Sequence, residues 1–421
     1  QTGVFPRGFL WGIGSSAFPT EGSWDADGKG ASIWDHFTLQ SPAGASSDSY
    51  IQWEEDLKAV QFLGVDFYSF SLSWPRLFPD LTLNPNPAGV EHYRRLIRKL
   101  KELNVEPVVT LFHWDLPQVL QERLGGWLNS SMVGVFADYA EFCFRTFGDE
   151  VRFWITMHNP FLVAVQGYGT GAHAPGVKGE RGDPFIAAHN LIRAHAKAYH
   201  VYDKLFRARQ NGKVSISLGS HWVEPLHGQA TPTNLELCQK SMEAVIGWFA
   251  EPIYGSGDYP ESLKSANRDP LYNQESSSST LIGWSDDERE ELRGALDFIA
   301  LNHFTTRLVS PWAHLKASTP DHGCSLMNDV NWQTSQMGQA LVPWGLRRML
   351  GWVKNRYGNR LPIIITASGV DDQAAYHDQL RQSYIRDYLQ EALKARELDG
   401  VNLRGFYIWK LQDHHDLQFG L

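Results

Sequence analysis

The segment FWITMHNP, residues 153–160, decides both the fold of this chain and the chemistry it can carry. It begins as an apolar, aromatic run and ends in a polar tip, His158-Asn159, followed by Pro160. A short apolar run closed by a proline is typical of a strand buried on both faces of a parallel sheet. The polar pair then stands at the carboxyl end of the strand, where α/β sheets place functional side chains.

Seven similar apolar, β-branched or aromatic runs flank this segment. They cover residues 9–18, 67–74, 106–114, 213–222, 298–306, 362–368 and 403–411. Most of these runs are separated by segments with a helical pattern. In two of those segments the apolar face consists of Tyr93, Leu96, Ile97, Leu100 and Leu103, and of Leu346, Met349, Leu350, Val353 and Tyr357. Eight strands that alternate with helices predict an α/β fold, a single (β/α)₈ TIM barrel over residues 1–421.

Three segments are expected to lie outside the regular barrel. The polar run 274–280 and the longer run 312–339, which has no clear period, are predicted to be loop insertions, the second at the barrel mouth. No helical pattern follows the eighth strand run, so the final barrel helix is expected to be missing or to lie outside this chain.

Composition and charge exclude several classes of partner. The net charge is −9 and no basic stripe is present, which argues against nucleic-acid binding. No stretch approaches 18 apolar residues, and the N-terminus has no signal-peptide pattern, so a membrane attachment is expected only through a segment outside this chain. The sequon at Asn129 predicts a glycosylation site if the chain is secreted.

Cysteine and histidine spacing indicates no metal site and no cofactor. The three cysteines form no CxxC or zinc pattern, and they are Cys143, Cys238 and Cys324. Cys143 falls on the apolar face of a helix and is predicted to be a core thiol. His414, His415 and Asp416 are metal ligands by residue type, but adjacent histidines on a loop are more often solvated.

Long motifs in the expected order resemble those of family 1 glycoside hydrolases over nearly the whole chain. They include SLSWPRLFP (71–79), VTLFHWDLPQ (109–118), WITMHNP (154–160) and LNHFTT (301–306). The resemblance implies a retaining scheme, in which one Glu protonates the leaving oxygen and a second Glu attacks the anomeric carbon from about 5–5.5 Å away.

Both carboxylates that the resemblance implies are replaced in this chain. Asn159 stands at the position of the acid/base Glu, and Ala367, within the segment ITASG (365–369), stands at the position of the nucleophile. An amide exchanges no proton near neutral pH, and a methyl group offers no nucleophile. Because general acid catalysis alone contributes about 10²–10⁴-fold, the sequence predicts that this chain is not an enzyme.

Other positions that serve the carboxylates in the family pattern have changed as well. Pro19 replaces a Gln that holds sugar hydroxyls, Ser69 replaces an Arg beside the nucleophile, and Phe304 replaces a Tyr that bonds it. His158 replaces an Asn, and the sugar clamp after the eighth strand reads His-His-Asp-Leu at 414–417. Glu21 and Asp115 keep their carboxyl groups, but their positions in turn motifs favour a structural role.

The altered strand ends still predict a binding cleft that is lined by aromatic and polar side chains. The candidate ligand-binding residues are His113, Trp114, His158, Asn159, Asn302, Phe304, Ala367 and Trp409.

Within family 1, the chain is similar to the pseudo-enzyme branch of the Klotho proteins. WITMHNPFLVAVQGYGTGAHAPG (154–176) resembles their first glycosidase-like module, and ITASGVDDQA (365–374) resembles their second. The resemblance implies the extracellular or cell-surface ectodomain of a single-pass membrane protein. It further implies a co-receptor whose former sugar cleft binds the tail of an endocrine fibroblast growth factor, together with the receptor of that hormone.

Two other functions remain open at this point. One is a carbohydrate-binding pseudo-enzyme that takes a glycan in the same cleft. The other is a residual β-glycosidase with an altered mechanism, in which His158 acts as a base.

Overall fold

The computed structural model describes residues 3–38, 48–82, 84–180, 182–226, 229–268, 281–310, 325–371 and 378–411. The expected loop 274–280, Cys324, the motif His414-His415-Asp416 and the chain after Leu411 lie outside these residues. The prediction of a missing final helix falls there too.

Eight parallel strands close into one barrel, as the sequence predicts. Along the chain the strands of the barrel are β1 (Leu10–Gly14), β2 (Phe67–Ser71), β3 (Glu106–Phe112), β4 (Phe153–His158), β5 (Lys213–Gly219), β7 (Ile299–Asn302), β10 (Ile363–Ser368) and β11 (Leu403–Trp409). Around the barrel they follow the order β1-β11-β10-β7-β5-β4-β3-β2, and β1 pairs with β2 to close the ring.

A second sheet of three strands was not predicted. It has the order β6-β8-β9 and consists of β6 (Trp222–Pro225), β8 (Thr306–Ser310) and β9 (Ser325–Met327). The single runs expected over 213–222 and 298–306 therefore each divide into a barrel strand and a strand of this second sheet. Part of the expected loop 312–339 is the strand β9. Because pairing between distant strands is a tertiary event, the period of the sequence does not reveal it.

The first strand run also ends earlier than expected. Ala17 and Phe18 lie in a short helix rather than in a strand. The α-helices are α1 (Ala17–Glu21), α2 (Ile33–Thr38), α3 (Ser49–Leu63), α4 (Trp74–Leu77), α5 (Pro87–Glu102), α6 (Gln118–Leu124), α7 (Met132–Phe147), α8 (Pro160–Leu162), α9 (Asp183–Leu205), α10 (Arg207–Gln210), α11 (Pro232–Met242), α12 (Trp248–Tyr254), α13 (Glu261–Arg268), α14 (Asp286–Leu292), α15 (Pro343–Tyr357) and α16 (Gln379–Glu397). Two π-helical segments, Val163–Thr170 and Glu243–Gly247, continue α8 and α11.

The helices bury the faces that their periods predict. On α5 the residues Tyr93, Leu96, Ile97 and Leu100 are buried, and on α15 Leu346, Met349, Leu350 and Val353 are buried. Cys143 on α7 is fully buried, and burial raises the pKa of its thiol, so the prediction of a core thiol is confirmed. This packing fixes the strands, and their carboxyl ends converge on one face of the barrel.

Candidate functional site

The tip of β4 places Asn159 over the neighbouring strand. Asn159 adopts the left-handed conformation (φ 48°), and its backbone N–H donates to the carbonyl of Ser217 at 2.8 Å. Its side-chain amide lies against Gly219, where an added Cβ would stand 2.5 Å from Nδ2. Glycine at 219 is therefore what admits the Asn159 amide at this edge, since any larger residue would collide with it.

Asn302 lies at the end of β7 and is the centre of a buried hydrogen-bond network. Its Oδ1 accepts from the hydroxyls of Ser217 at 2.9 Å and Thr366 at 3.0 Å, and those two hydroxyls are 2.7 Å apart. All three side chains are buried. The network joins β5, β7 and β10 across the barrel interior and fixes the orientation of the Asn302 amide.

The position expected for a nucleophile is Ala367 on β10. Ala367 is fully buried and pairs in register with Asn302, and its carbonyl accepts from the N–H of His303 at 3.0 Å. Asn302 therefore pairs with Ala367 on β10 and with Gly219 on β5. The Asn159 amide lies against that glycine. The two positions at which the sequence analysis expects catalytic carboxylates thus carry an amide and a methyl group, at the carboxyl ends of β4 and β10.

Three aromatic rings cluster beside these positions. The imidazoles of His113 and His158 are stacked with centroids 4.1 Å apart, and the Trp409 indole lies 5.8 Å from the first and 5.9 Å from the second. Each side chain is 5–7% exposed. The structure thus brings together His113, His158 and Trp409 as a nearly buried cluster of aromatic rings at the ends of β3, β4 and β11.

Trp114 occupies a different environment from the other candidates. Its indole N–H donates to the carbonyl of Ala174 at 2.7 Å, and its ring meets Trp34 edge-on at 5.3 Å. The side chain is 2% exposed. Trp114 therefore anchors the loop around Ala174, and its contact with a ligand stays a prediction.

Phe304 follows β7 and is half-buried. Its carbonyl accepts from the hydroxyls of Tyr384 and Tyr388 on α16, both at 3.1 Å, and from the Gln339 amide at 2.9 Å. These bonds hold the backbone of the loop, while the benzyl side chain supplies no hydrogen bond of its own.

Glu21 forms a buried structural network. Its Oε2 accepts from the Nε of Arg76 at 2.9 Å, and its Oε1 accepts from the hydroxyl of Tyr93 at 2.5 Å. Burial raises the pKa of Tyr93 well above its usual value, and the adjacent Glu21 carboxylate adds to the shift. The network fixes the short helix α1, which contains Pro19. The Glu21 carboxylate therefore has a structural role.

Asp115 is 1% exposed, and neither carboxyl oxygen has a hydrogen-bond partner among the described residues. Burial raises the pKa of this carboxyl well above its usual value, and the nearby negative charge of Glu21 acts in the same direction. Asp115 therefore lies within the packed interior, in keeping with a structural role.

Ser69 lies on β2, next to the first strand. Its carbonyl accepts from the N–H of Ser15 at 2.8 Å. A hydroxymethyl group carries no positive charge, so Ser69 itself offers no cation to a neighbouring carboxylate.

Sequence reasoning missed the residues that surround Asn302 and Asn159. Ser217 and Thr366 are buried strand residues with small hydroxyls, and Gly219 has no side chain. The sequence signal that could have indicated Ser217 and Thr366 is a polar residue at an inward position of a barrel strand. The residues that pair with them across strands are not apparent before the register is known.

Two further predictions concern metals and sugars. No cluster of three or more His, Cys, Asp or Glu suited to a metal ion occurs among the described residues. Asn129 is partly exposed, and its Nδ2 donates to the carbonyl of Leu124 at 2.9 Å while its Oδ1 accepts from the N–H of Ser131. Glycosylation there stays a prediction.

The fold and the site together match a known family. The model of glycosyl hydrolase family 1 matches residues 1–421, and the chain belongs to that family. Among solved structures, aphid myrosinase superposes with a TM-score of 0.93 at 35% identity, over 98% of this chain and 91% of that one. A β-glucosidase from the fungus Humicola insolens, in complex with glucose, gives 0.89 at 30% identity, over 98% and 90%.

Within the family the chain is similar to proteins of the Klotho type and of the lactase type. It is 43% identical to Beta-klotho of Mus musculus over 423 residues, which are 99% of this chain and 37% of that protein. It is also 41% identical to lactase/phlorizin hydrolase of Homo sapiens over 440 residues, 100% of this chain and 22% of that protein. The chain thus spans less than half the length of these curated relatives.

In the part of the chain that the structure describes, no helix combines the length and the apolar character needed to cross a membrane.

Proposed function

We propose that this chain is a non-catalytic glycosidase-like module that binds the C-terminal tail of an endocrine fibroblast growth factor in its former sugar cleft. The observation that carries the proposal is the pair Asn159 and Ala367, which leaves the family site without either carboxylate. The likeness to Beta-klotho supports a co-receptor role, with the hormone and its receptor as partners and an extracellular or cell-surface location.

The cluster of aromatic rings supports binding in place of hydrolysis. His113, His158 and Trp409 present flat, nearly buried rings beside the altered strand ends. Such rings contribute contact area that needs no catalytic group, and the buried amide groups beside them give orientation. Ser69 and Phe304 supply neither the Arg nor the Tyr that would serve a nucleophile.

Calorimetric titration with a fibroblast growth factor C-terminal peptide tests the proposal. We expect saturable binding, weakened at least tenfold by Trp409→Ala. A matched control is Trp352→Ala, because Trp352 lies on the outer helix α15 and bonds Gln239 there. Absence of binding, or equal binding by both variants, would contradict a role for the cleft.

A carbohydrate-binding role is the second candidate. It is favoured by the structural likeness to a β-glucosidase in complex with glucose. Titration with β-glucosides separates it from the first, since a lectin-like module binds them and shows no saturable response to the hormone peptide. Residual β-glycosidase activity is the third candidate, because the lactase/phlorizin hydrolase relative bears the name of a hydrolase. Turnover of aryl β-glucosides that disappears in His158→Ala would favour it.

A further inference from the structure

An open polar cavity of about 430 Å³ lies at the other end of the barrel from the candidate cleft. Its wall includes Asn359 in the loop before β10, Arg396 in the last turn of α16 and Arg404 at the start of β11. These residues lie at the amino-terminal ends of barrel strands, whereas the cleft lies at the carboxyl ends. The cavity is therefore a separate place on the molecule, and the proposed function does not use it.

A chain of hydrogen bonds holds the Arg404 guanidinium in position. Arg404 Nε donates to Asn402 Oδ1 at 2.7 Å, and the backbone N–H of Asn402 donates to Asn359 Oδ1 at 2.9 Å. Asn359 Nδ2 donates in turn to the carbonyl of Gly400 at 2.9 Å. Because Arg404 is oriented before a ligand arrives, less side-chain freedom is lost on binding.

The Arg396 guanidinium is also held, and it has an unused donor. Its Nη1 donates to the carbonyl of Leu403 at 2.9 Å. Its Nε is buried and makes no hydrogen bond among the described residues, although Glu397 Oε1 lies 3.1 Å away as an ion-pair partner. Arg396 therefore keeps hydrogen-bonding capacity in the cavity wall.

Positive charge exceeds negative charge around the cavity. Arg396 and Arg404 line it together with a single carboxylate, that of Glu397, among the described residues. Asp399 in the adjoining loop is already neutralised, because Arg347 donates to its two oxygens at 2.7 and 2.8 Å. Arg404 forms no ion pair in the described part of the chain. The chain as a whole has a net charge of −9, so this excess of cations is local.

We infer that the cavity binds a sulfate or phosphate ester through Arg396 and Arg404. Guanidinium groups bind such oxyanions through paired N–H donors. An ester of this kind offers three terminal oxygens, which is enough for donors from two guanidinium groups, whereas a carboxylate offers two. Glu397 opposes the bound anion and sets an upper limit on its affinity.

NMR of the arginine Nε–H groups in the intact chain tests the inference, with sodium sulfate as the probe and sodium chloride at equal ionic strength as the reference. We expect the Arg396 and Arg404 resonances to shift with saturation in sulfate and to stay in place in chloride. Equal shifts in the two salts, or shifts that do not saturate, would overturn the inference.

Charge variants give the test a direction. Arg404→Gln should weaken sulfate binding by about tenfold, because a charge-assisted hydrogen bond is lost. The matched control is Arg152→Gln, since Arg152 is exposed, precedes β4 at the same end of the barrel and lies outside the cavity. Glu397→Gln should tighten sulfate by about threefold, a gain that misfolding does not produce. Equal effects of Arg404→Gln and Arg152→Gln, or weaker binding by Glu397→Gln, would contradict the assignment.

Three small anions distinguish the class of ligand. Methyl sulfate and methyl phosphate represent the two esters, and acetate represents a carboxylate. We expect at least one ester to bind more tightly than acetate and to lose that advantage in Arg404→Gln, and the tighter ester identifies the source of the oxyanion. Acetate that binds as tightly as both esters, or esters that do not bind although sulfate does, would show an adventitious ion only and would overturn the inference. Titration of the hormone peptide reports on the cleft alone, so the two proposals can fail separately.

Discussion

Replacement of Arg76 by Met is expected to be among the most destabilising single changes at the barrel mouth. The Arg76 side chain is fully buried, and its partner Glu21 is 10% exposed. Arg76→Met removes the 2.9 Å ion pair and leaves the Glu21 carboxylate buried with one remaining bond, from Tyr93. Breaking a buried pair in this way costs about 3–5 kcal/mol, because one charge is left uncompensated.

The expected shift in unfolding temperature follows from the size of the chain. An unfolding entropy of about 2.1 cal/mol/K per residue gives roughly 0.9 kcal/mol/K for a protein of this length. A loss of about 3–5 kcal/mol then lowers the unfolding temperature by about 3–6 °C. Differential scanning calorimetry at pH 7 measures this shift directly.

Arg95→Met is the matched control. Arg95 pairs with Glu91 at 3.1 Å on the outer face of α5, and both side chains are largely exposed. A surface pair contributes at most about 1 kcal/mol, so a shift of about 1 °C or less is expected. The double variant Arg76→Met with Glu21→Gln should be more stable than Arg76→Met alone, because no bare charge remains. Equal shifts for Arg76→Met and Arg95→Met would refute the reasoning.

Three other outcomes are expected. The double variant Asn159→Glu with Ala367→Glu should give no turnover of aryl β-glucosides above that of the unmodified chain, because no Arg or Tyr serves the new carboxylate, and a 10²-fold gain would contradict this. His195 is fully buried and burial lowers its pKa to about 4, so the folded chain binds its proton less readily than the unfolded chain does. The contribution of neutral His195 to the free energy of unfolding is complete above about pH 6.5 and decreases by on the order of 3 kcal/mol as pH falls toward 4. In urea unfolding, the free energy of unfolding of His195→Gln should therefore depend less on pH than that of the unmodified chain. When the chain is secreted from animal cells, treatment with peptide N-glycosidase F should lower its mass. The variant Asn129→Gln should lose less mass than the unmodified chain, by the mass of one glycan. Equal mass losses for the two proteins would contradict glycosylation at Asn129.

The sequence carries most of the architecture of the barrel. The run FWITMHNP predicts β4, and the seven other runs predict the remaining barrel strands, because strands buried on both faces are continuously apolar. The ends of the strands are predicted less accurately, since the same residue types occur at strand ends and in short helices. Ala17 and Phe18 illustrate this, because an apolar pair suits the helix α1 as well as a strand.

The contents of the site were only partly predictable. Asn159 and Ala367 are recognisable because they interrupt long motifs at strand ends. The Ser217–Asn302–Thr366 network is not, because it depends on hydrogen bonds between residues up to 149 positions apart. The Arg76–Glu21 pair similarly joins the short helices α4 and α1 through residues that are 55 positions apart.

The pairing of β1 with β11 has a consequence for the synthesis of the protein. Gly14 and Leu403 belong to adjoining strands, yet about 390 residues of chain separate them. At translation rates of about 5–20 residues per second, the first strand waits roughly 20–80 s on the ribosome before its neighbour exists. During that time one edge of the growing sheet is open, and a chaperone that covers Leu10–Gly14 would protect the nascent chain until the ring can close.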